Sequence, residues 1–556
     1  MPYMCDFEAN TGNIVHTRVW AWACCNIEDP DQPVITGNDI TTYMAWLKQM
    51  AAFKETVYFH NLKYDGEFIV NHLLKTGWQP IEQANKARKN TFTMLISGSG
   101  AWYQLKLYFA RNKYVTIIDS YKIIPLGVEK IPGAFGLEEA KGSIDYELYR
   151  DVGYIPTAEE IEYITLDVRI VTIALGRFFR EGLNRMTIGS NALYEYQQLF
   201  GDYYRYFFPD IAEVDPDIRK SYRGGFTYVN PKYQGMDIGE GIVLDVNSLY
   251  PSRMKCEQLP YGVPQPFEGL YEYDEKFPLF VQHFSCCFKL KPDHIPMIQI
   301  KNSLYFLDTE YAVSSNDEEI DLWLTSVDLD LFLDQYDTWN ETFYGGYKFR
   351  AGSGMFDQYI DKWMRIKQQA TIDHNKGLRS IAKLMLNSLY GKFGTNPHVT
   401  NRTVKLDTDG ACEFDSVRLP DRKPVYIPMA AFITAYARSY TIRAAQSVYD
   451  RFIYADTDSL HLIGNELPAG LEIDPVKVGA WKHESSFKRA RFIRAKCYIE
   501  EEKDGLKVTC AGMPNNLHDQ VTWDNFRPHK KYWGKLFPKH IDGGVILVPG
   551  PFTISG

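Results

Sequence analysis

The chain has 556 residues, too many for one ordinary core, so several domains are expected. Hydrophobic residues make up 45% and aromatic residues 15%, which excludes a disordered chain and suits a well-packed globular enzyme. The net charge of −9 excludes a uniformly basic surface, but DNA affinity depends on where basic residues cluster, and they do so at 86–89, 362–367, 488–496 and 527–539.

No apolar run reaches membrane-spanning length and no secretory signal is visible, so no membrane partner is expected. The nine cysteines form no C-x-x-C, which argues against a zinc site or a disulfide framework and fits a reducing cytoplasm. Neither a short-period repeat nor a low-complexity tract is present.

In chain order, Met1-Pro2-Tyr3 opens into a strand in which alternation places Asp6 and Glu8 on one face and Phe7 on the other. Tyr58-Phe-His-Asn61-Leu-Lys-Tyr64-Asp65-Gly66 follows, with Asn61 and Asp65 four apart. Thr157 and Glu160 form a capping box that opens a long helix ending near Gly182, on which Tyr163 and Asp167 are one turn apart. Singly, each of these is more often a cap or a solvated acid.

Strands are predicted around 222–230 and 241–250. Ile242 to Leu244 form an apolar run, Asp245 arrives at its end, and Pro251 is expected to stop regular structure. The bland reading is an Asx turn closing a core strand. The stretch 257–354 mixes strand-like runs with turns, and 355–394 reads as helical. Within the latter, Arg379, Lys383, Asn387 and Tyr390 follow i, i+4, i+8, i+11, so two cations, an amide and a phenol share one face. No acid occurs from Arg379 to Gly394, so a phosphate-bearing ligand would supply the missing partner. Asp407-Thr-Asp-Gly410 between short strands predicts a hairpin. Tyr454-Ala-Asp456-Thr-Asp458-Ser459 predicts another, whose turn carries two carboxylates. Two such anions repel and call for a cation, and hard oxygens suit magnesium or manganese. Alone, that D-x-D turn is a solvated surface feature about four times in five. Joined to Asp245, it becomes a carboxylate cluster able to hold two metals about 4 Å apart.

DVNSLYP, KLMLNSLYG and YADTDS, in that order, resemble motifs A, B and C of family B DNA polymerases. YRGGF at 222–226, TAYAR at 434–438 and KCY at 496–498 are similar to motifs of the protein-primed branch of small bacteriophages with a covalently bound terminal protein. The resemblance runs through nearly the whole chain. It implies a mixed α/β molecule: a ribonuclease-H-like DEDDy exonuclease at 1–187 and a right-hand polymerase. Palm would lie at 188–256 and 425–518, fingers at 355–394 and thumb at 519–556. Two insertions are implied, one at 257–354 contacting terminal protein and one at 395–424 serving processivity and strand displacement.

The resemblance implies Asp245, Val246 and Asp458 as metal ligands with Asp456 in support, two Mg2+ or Mn2+ ions per site, and Tyr250, Lys367, Lys383, Asn387 and Tyr390 around the deoxynucleotide. Tyr250 would exclude a 2′ hydroxyl. In the nuclease, Asp6, Glu8, Asp65 and Asp167 would hold metal and Tyr163 would orient water. DNA contacts are implied for Asn61, Tyr64, Ser120, Lys141, Tyr222, Arg223, Gly224, Gly225, Arg379, Lys392, Thr434, Arg438, Lys496 and Tyr498. The chain departs from the branch at Tyr121, usually leucine, and at Ala9, where a hydroxyl residue is common. The partners implied are primer-template and single-stranded DNA, deoxynucleoside triphosphates, and terminal protein bound as a heterodimer at initiation. The chain is otherwise expected to be a monomer in the cytoplasm of an infected bacterium. Rival readings are a palm-sharing reverse transcriptase or RNA polymerase and a non-enzymatic docking module. The D-T-D turn and the NSLYG helix disfavour the first, and complete acid sets disfavour both.

Overall fold

A computed structural model describes residues 1–11, 15–138, 142–146, 148–299 and 311–555; Lys141 therefore lies outside the described residues. The amino-terminal part is built on an eight-stranded mixed sheet. Its central strands, Tyr3–Ala9, Thr56–Phe59 and Lys113–Asp119, run parallel, and Val19–Asn26 lies antiparallel beside the first. The capping box at Thr157 forms as read, and the helix Ala158–Arg180 crosses the first two strands. Its Ile164, Val168, Val171 and Leu175 recur at helical spacing and are fully buried.

That helix does not close a core of its own. Its apolar face continues into one cluster with Trp363, Ile381 and Met385, so the nuclease-like unit and the helices Asp357–Ile372 and Lys376–Ser388 share an interior. The helix of the cationic stripe ends at Ser388, and Tyr390 belongs to a separate turn, Tyr390–Phe393, rather than to one continuous helix.

The stretch expected as palm contains a five-stranded sheet in the order Trp481–Phe487, Gly241–Val246, Ser459–Ile463, Phe452–Asp456, Thr227–Val229. Pro251 does not stop regular structure. It sits in the first turn of the helix Leu249–Cys256, where its missing N–H would have had no intrahelical partner anyway. The stretch after this helix adds a four-stranded antiparallel sheet of Leu259–Glu268, Tyr336–Gly352, Leu279–Leu290 and Ile320–Thr325, with the helix Ser326–Gln335 against it.

The predicted hairpin forms from Val399–Leu406 and Cys412–Leu419, with Gly410 at φ 82° in its turn. One of its contacts falls in the 519–556 stretch expected as thumb, and the others fall in the amino-terminal unit. It packs on strand Thr91–Ile96 and helix Leu62–Lys75 of the amino-terminal unit and on the long hairpin Lys531–Ile541/Gly544–Thr553. Val404, Cys412 and Val545 enter the amino-terminal core, which explains the choice of partners. At the turn of the long hairpin Asp542 pairs with Lys75 and His16, and His540 with Glu67. Among the described residues no helix is long and apolar enough to cross a membrane.

Candidate active sites for nucleotide transfer and DNA hydrolysis

The first site grows from the alternation of the first strand. Phe7 points into the core, and its neighbours Asp6 and Glu8 point the other way, where Asp167 arrives from the long helix. Carboxylate oxygens of Asp6, Glu8 and Asp167 all lie within 4.8 Å of one another. Asp65, from the first turn of helix Leu62–Lys75, is 3% exposed, and its Oδ1 has no hydrogen-bond partner among the described residues. Burial first, then Asp6 and Glu8, push the Asp65 carboxyl well above the usual range. Four acids so placed repel one another and fit hard divalent cations. The Tyr163 hydroxyl meets that of Tyr146 at 2.6 Å, and burial followed by this contact raises the Tyr163 phenol. Tyr146 had no periodic or motif signal in the sequence.

The second site is a cavity of about 750 Å³ between the palm sheet and the helix Lys376–Ser388. Asp245, Val246, Tyr250 and Asp458 line one side, and Lys367, Arg379, Lys383, Asn387 and Tyr390 the other, so the helix break at Ser388 does not take Tyr390 out of the group. Asp458 sits in a turn whose Thr457 has φ 60°, an uncomfortable value for a β-branched residue. That turn is tied at both ends: Thr457 N–H donates to Phe226 O at 2.6 Å, and the Thr441 hydroxyl donates to Thr457 O at 2.8 Å. Val246 N–H donates to Asp458 O at 2.8 Å, joining the two motifs directly. Strain held by its surroundings is a mark of a functional turn.

Burial, then Asp245 and Asp456, push the Asp458 carboxyl up to about 6, and burial likewise raises Asp245. On the opposite wall burial, then Arg379, Lys383 and Lys482, lower the Lys367 ammonium. One wall thus has surplus negative charge and the other surplus positive charge, which suits divalent cations bound to a polyphosphate. Asp456 is differently placed. Lys496 reaches its two oxygens at 3.0 and 3.2 Å, and the Tyr454 hydroxyl donates to it at 3.1 Å. The rings of Tyr250 and Tyr390 stack at 4.0 Å and form the floor.

The chain matches the family of DNA polymerases type B, organellar and viral, over residues 48–157 and 153–472. It is 43% identical to the DNA polymerase of Bacillus phage phi29, over 100% of this chain and 99% of that one. It belongs to the viral type B DNA polymerases. The DNA polymerase of Streptococcus phage Cp-1 is 33% identical over 99% of this chain and 98% of its own length. Among solved structures, phi29 DNA polymerase complexed with primer-template DNA and incoming nucleotide superposes with TM-score 0.93, at 41% identity and full coverage of both chains. The same polymerase complexed with single-stranded DNA does so with the same score. The fold, with exonuclease and polymerase domains, is therefore that of phi29 polymerase, and the chain is a DNA polymerase whose family uses divalent metal.

Against that family pattern, several residues expected at the DNA face inward. Ser120 is fully buried, its hydroxyl donating to Phe59 O at 2.9 Å and lying 2.9 Å from His60 Nδ1, while the neighbouring Tyr121 is exposed and edge-on to His60. Arg438 gives both Asp328 oxygens hydrogen bonds at 2.8 and 2.7 Å and supports the carbonyls of Arg223 and Gly224 at 2.7 and 2.8 Å. Arg223 donates to Trp323 O at 2.9 Å, and burial lowers its guanidinium to about 10. Thr434 donates to carbonyls of its own helix, and Tyr498 stacks on Phe492 in the core. All four are buried, and Arg438 holds the Y-R-G-G loop from beneath, while the Nε atoms of Arg223 and Arg438 have no hydrogen-bond partner among the described residues.

A Cβ at Gly225 would meet Thr457 Oγ1 at 2.7 Å, so the protein itself requires glycine there, whereas at Gly224 nothing lies within 4 Å. Lys392 is half-buried beside Ser190 and lowered by burial. Tyr222 packs at the site's edge against the position of Gly394. Tyr64 meets the Phe68 ring edge-on, and Asn61 is exposed at φ 73°. Asp119 went unrecognised in the sequence. It is 1% exposed and accepts N–H bonds from Asn61 at 3.0 Å, Leu62 at 3.3 Å and Tyr121 at 3.0 Å, tying together the two segments expected at the DNA. An aspartate ending an apolar strand before Ser-Tyr was its one available signal.

Proposed function

We propose that this polymerase initiates on a terminal protein, elongates processively with strand displacement, and proofreads 3′ to 5′, replicating a linear phage-type genome in the cytoplasm of its bacterial host. The observation that carries the synthetic part is the cavity in which Asp245 and Asp458 face Lys367, Arg379 and Lys383. Asp245, Asp458 and the Val246 carbonyl would hold two divalent ions, magnesium or manganese, and Asp456, already engaged by Lys496, supports them. When bound, such ions neutralise phosphate charge and raise the nucleophilicity of an attacking oxygen.

Lys383, Lys367 and Arg379 neutralise and align the triphosphate. Asn387 and the Tyr250–Tyr390 stack seat sugar and base, and the Tyr250 ring takes the space a 2′ hydroxyl needs. In the second site Asp6, Glu8, Asp65 and Asp167 would hold divalent ions that supply hydrolytic chemistry, and Tyr163 would orient water toward a 3′-terminal phosphate. Support for a protein partner comes from the 257–354 insertion, which exposes Val263, Leu270, Tyr273, Val313, Leu333 and Tyr344. Support for processivity comes from the hairpin at 399–419, which links the nuclease unit to the long carboxy-terminal hairpin.

Primer extension, single-strand degradation and deoxynucleotidylation of the cognate terminal protein test the reading together. Asp458→Ala should abolish both extension and deoxynucleotidylation and spare degradation. Asp6→Ala with Glu8→Ala should do the reverse. Loss of all three activities from either folded variant would refute the assignment of two sites.

A further inference from the structure

Lys482 has no role in the description so far, yet it lines the same cavity as Asp245 and Asp458. Its place follows from sheet register. Strand Trp481–Phe487 runs antiparallel to Gly241–Val246, with Lys482 directly opposite Asp245. Directly opposed residues project to the same face with Cβ atoms about 5 Å apart, so the lysine stem lies alongside the aspartate. Its Nζ stands 3.2 Å from Asp245 Oδ2 and 2.8 Å from Glu484 Oε2.

Three features set this pair apart from an ordinary surface ion pair. One partner is a carboxylate of the polymerisation site. The lysine side chain is only 30% exposed and opens onto the cavity that Lys367, Arg379 and Lys383 line from across. Glu484, two residues on and on the same face, holds the ammonium from the outside and is itself 52% exposed, so the lysine has two anions between which to move.

We propose that Lys482 occupies the Asp245 carboxylate while the site lacks nucleotide and turns to the phosphates when a triphosphate arrives with its divalent ion. This rests on the reading of the cavity as the polymerisation site. A divalent ion bound directly to a carboxylate oxygen sits at about 2.1 Å with twice the charge, so it displaces an ammonium held at hydrogen-bond distance. The displaced Nζ stays within the cavity, on the side where the triphosphate meets the palm. The lysine thereby opposes idle metal binding before substrate and adds to substrate binding afterwards. The two effects have opposite signs.

That opposition provides the test. In an Asp6→Ala, Glu8→Ala background, which leaves one acid site, Mn2+ affinity is measured by electron paramagnetic resonance without DNA or nucleotide. Nucleotide affinity is measured separately by single-turnover insertion on primer-template. Lys482→Met should tighten Mn2+ binding about two- to fivefold and weaken deoxynucleotide binding by a similar factor, the worth of a partly exposed ion pair. Lys482→Arg should restore both toward the parent. A lysine that only braces the two strands would weaken both affinities on removal, and that result, or no change in either, overturns the proposal. Asp245→Asn separates this failure from that of the site itself. If Asp245→Asn leaves Mn2+ binding untouched, the cavity is not the metal site. If it abolishes binding while Lys482→Met matches the parent, only the role of Lys482 falls.

Discussion

Asn401 is one of the links between the 399–419 hairpin and the nuclease sheet. Its Oδ1 accepts Ile96 N–H at 2.8 Å and its Nδ2 donates to Met94 O at 2.8 Å, with 7% of the residue exposed. Those two backbone groups lie on an open sheet edge, since the neighbouring strand Gln79–Pro80 pairs only with Thr91 and Phe92. The asparagine therefore does the work of a missing strand, as edge groups require a partner when covered. Asn401→Ala leaves a donor and an acceptor buried and unmatched, at about 1–3 kcal/mol each. Docking weakens by about 2 kcal/mol even at the low end, a factor of about 30 in its equilibrium. Extension of a primed single-stranded circle in the presence of a DNA trap should give markedly shorter products, while filling of a short gap stays at the parent rate. Hydrogen exchange at 399–419 supplies the structural readout. If exchange there rises and trapped product length stays at the parent value, docking of the hairpin does not govern processivity and the reasoning is wrong.

Tyr250→Val removes half of the stacked floor beside Tyr390. Ribonucleotide insertion should rise relative to the matching deoxynucleotide by tenfold or more, on the order expected when a steric block worth more than 1.4 kcal/mol is lifted; single-nucleotide kinetics with an unchanged ratio would clear Tyr250 of that role. His540 is raised above its ordinary value first by its contact with Glu67, against an opposing effect of burial and of Lys63 and Arg402. A raised histidine contributes stability below its unfolded value, near 6.5, and loses it as pH climbs through the folded value. The melting temperature of His540→Ala should therefore fall short of the parent most at pH 6 and converge with it by pH 8.5. A constant difference across that window would show that the contact is not ionic.

What could be read from the sequence was what neighbouring residues decide among themselves. Asp6 and Glu8 share a face by strand alternation, Tyr163 and Asp167 by helical spacing, and the turn at 456–458 follows from polar residues between two apolar strands. Inward-facing polar residues escaped for the converse reason. Arg438 looks like a phosphate ligand until Asp328, 110 residues away in the chain, takes up its guanidinium. The burial of Ser120 depends on the Phe59 carbonyl, 61 residues away in the chain, which its hydroxyl meets. Likewise, the partners of the 399–419 hairpin depended on Val404 and Cys412 finding an apolar gap in another unit. Pro251 misled because proline is disruptive inside a helix and harmless in its first turn.

The amino-terminal core is closed by residues made very late. Val545 enters it, Gly544 lies so near Phe68 that a Cβ would come within 2.5 Å of the ring, and Thr17 N–H donates to Asp542 O at 2.9 Å. During synthesis the nuclease sheet must therefore wait with an apolar face uncovered while the fingers and palm emerge from the ribosome. A chain cut short before this hairpin would carry its nuclease acids on an unfinished unit prone to aggregation and proteolysis. Completion of the amino-terminal core is thereby tied to the last stretch of chain to be made.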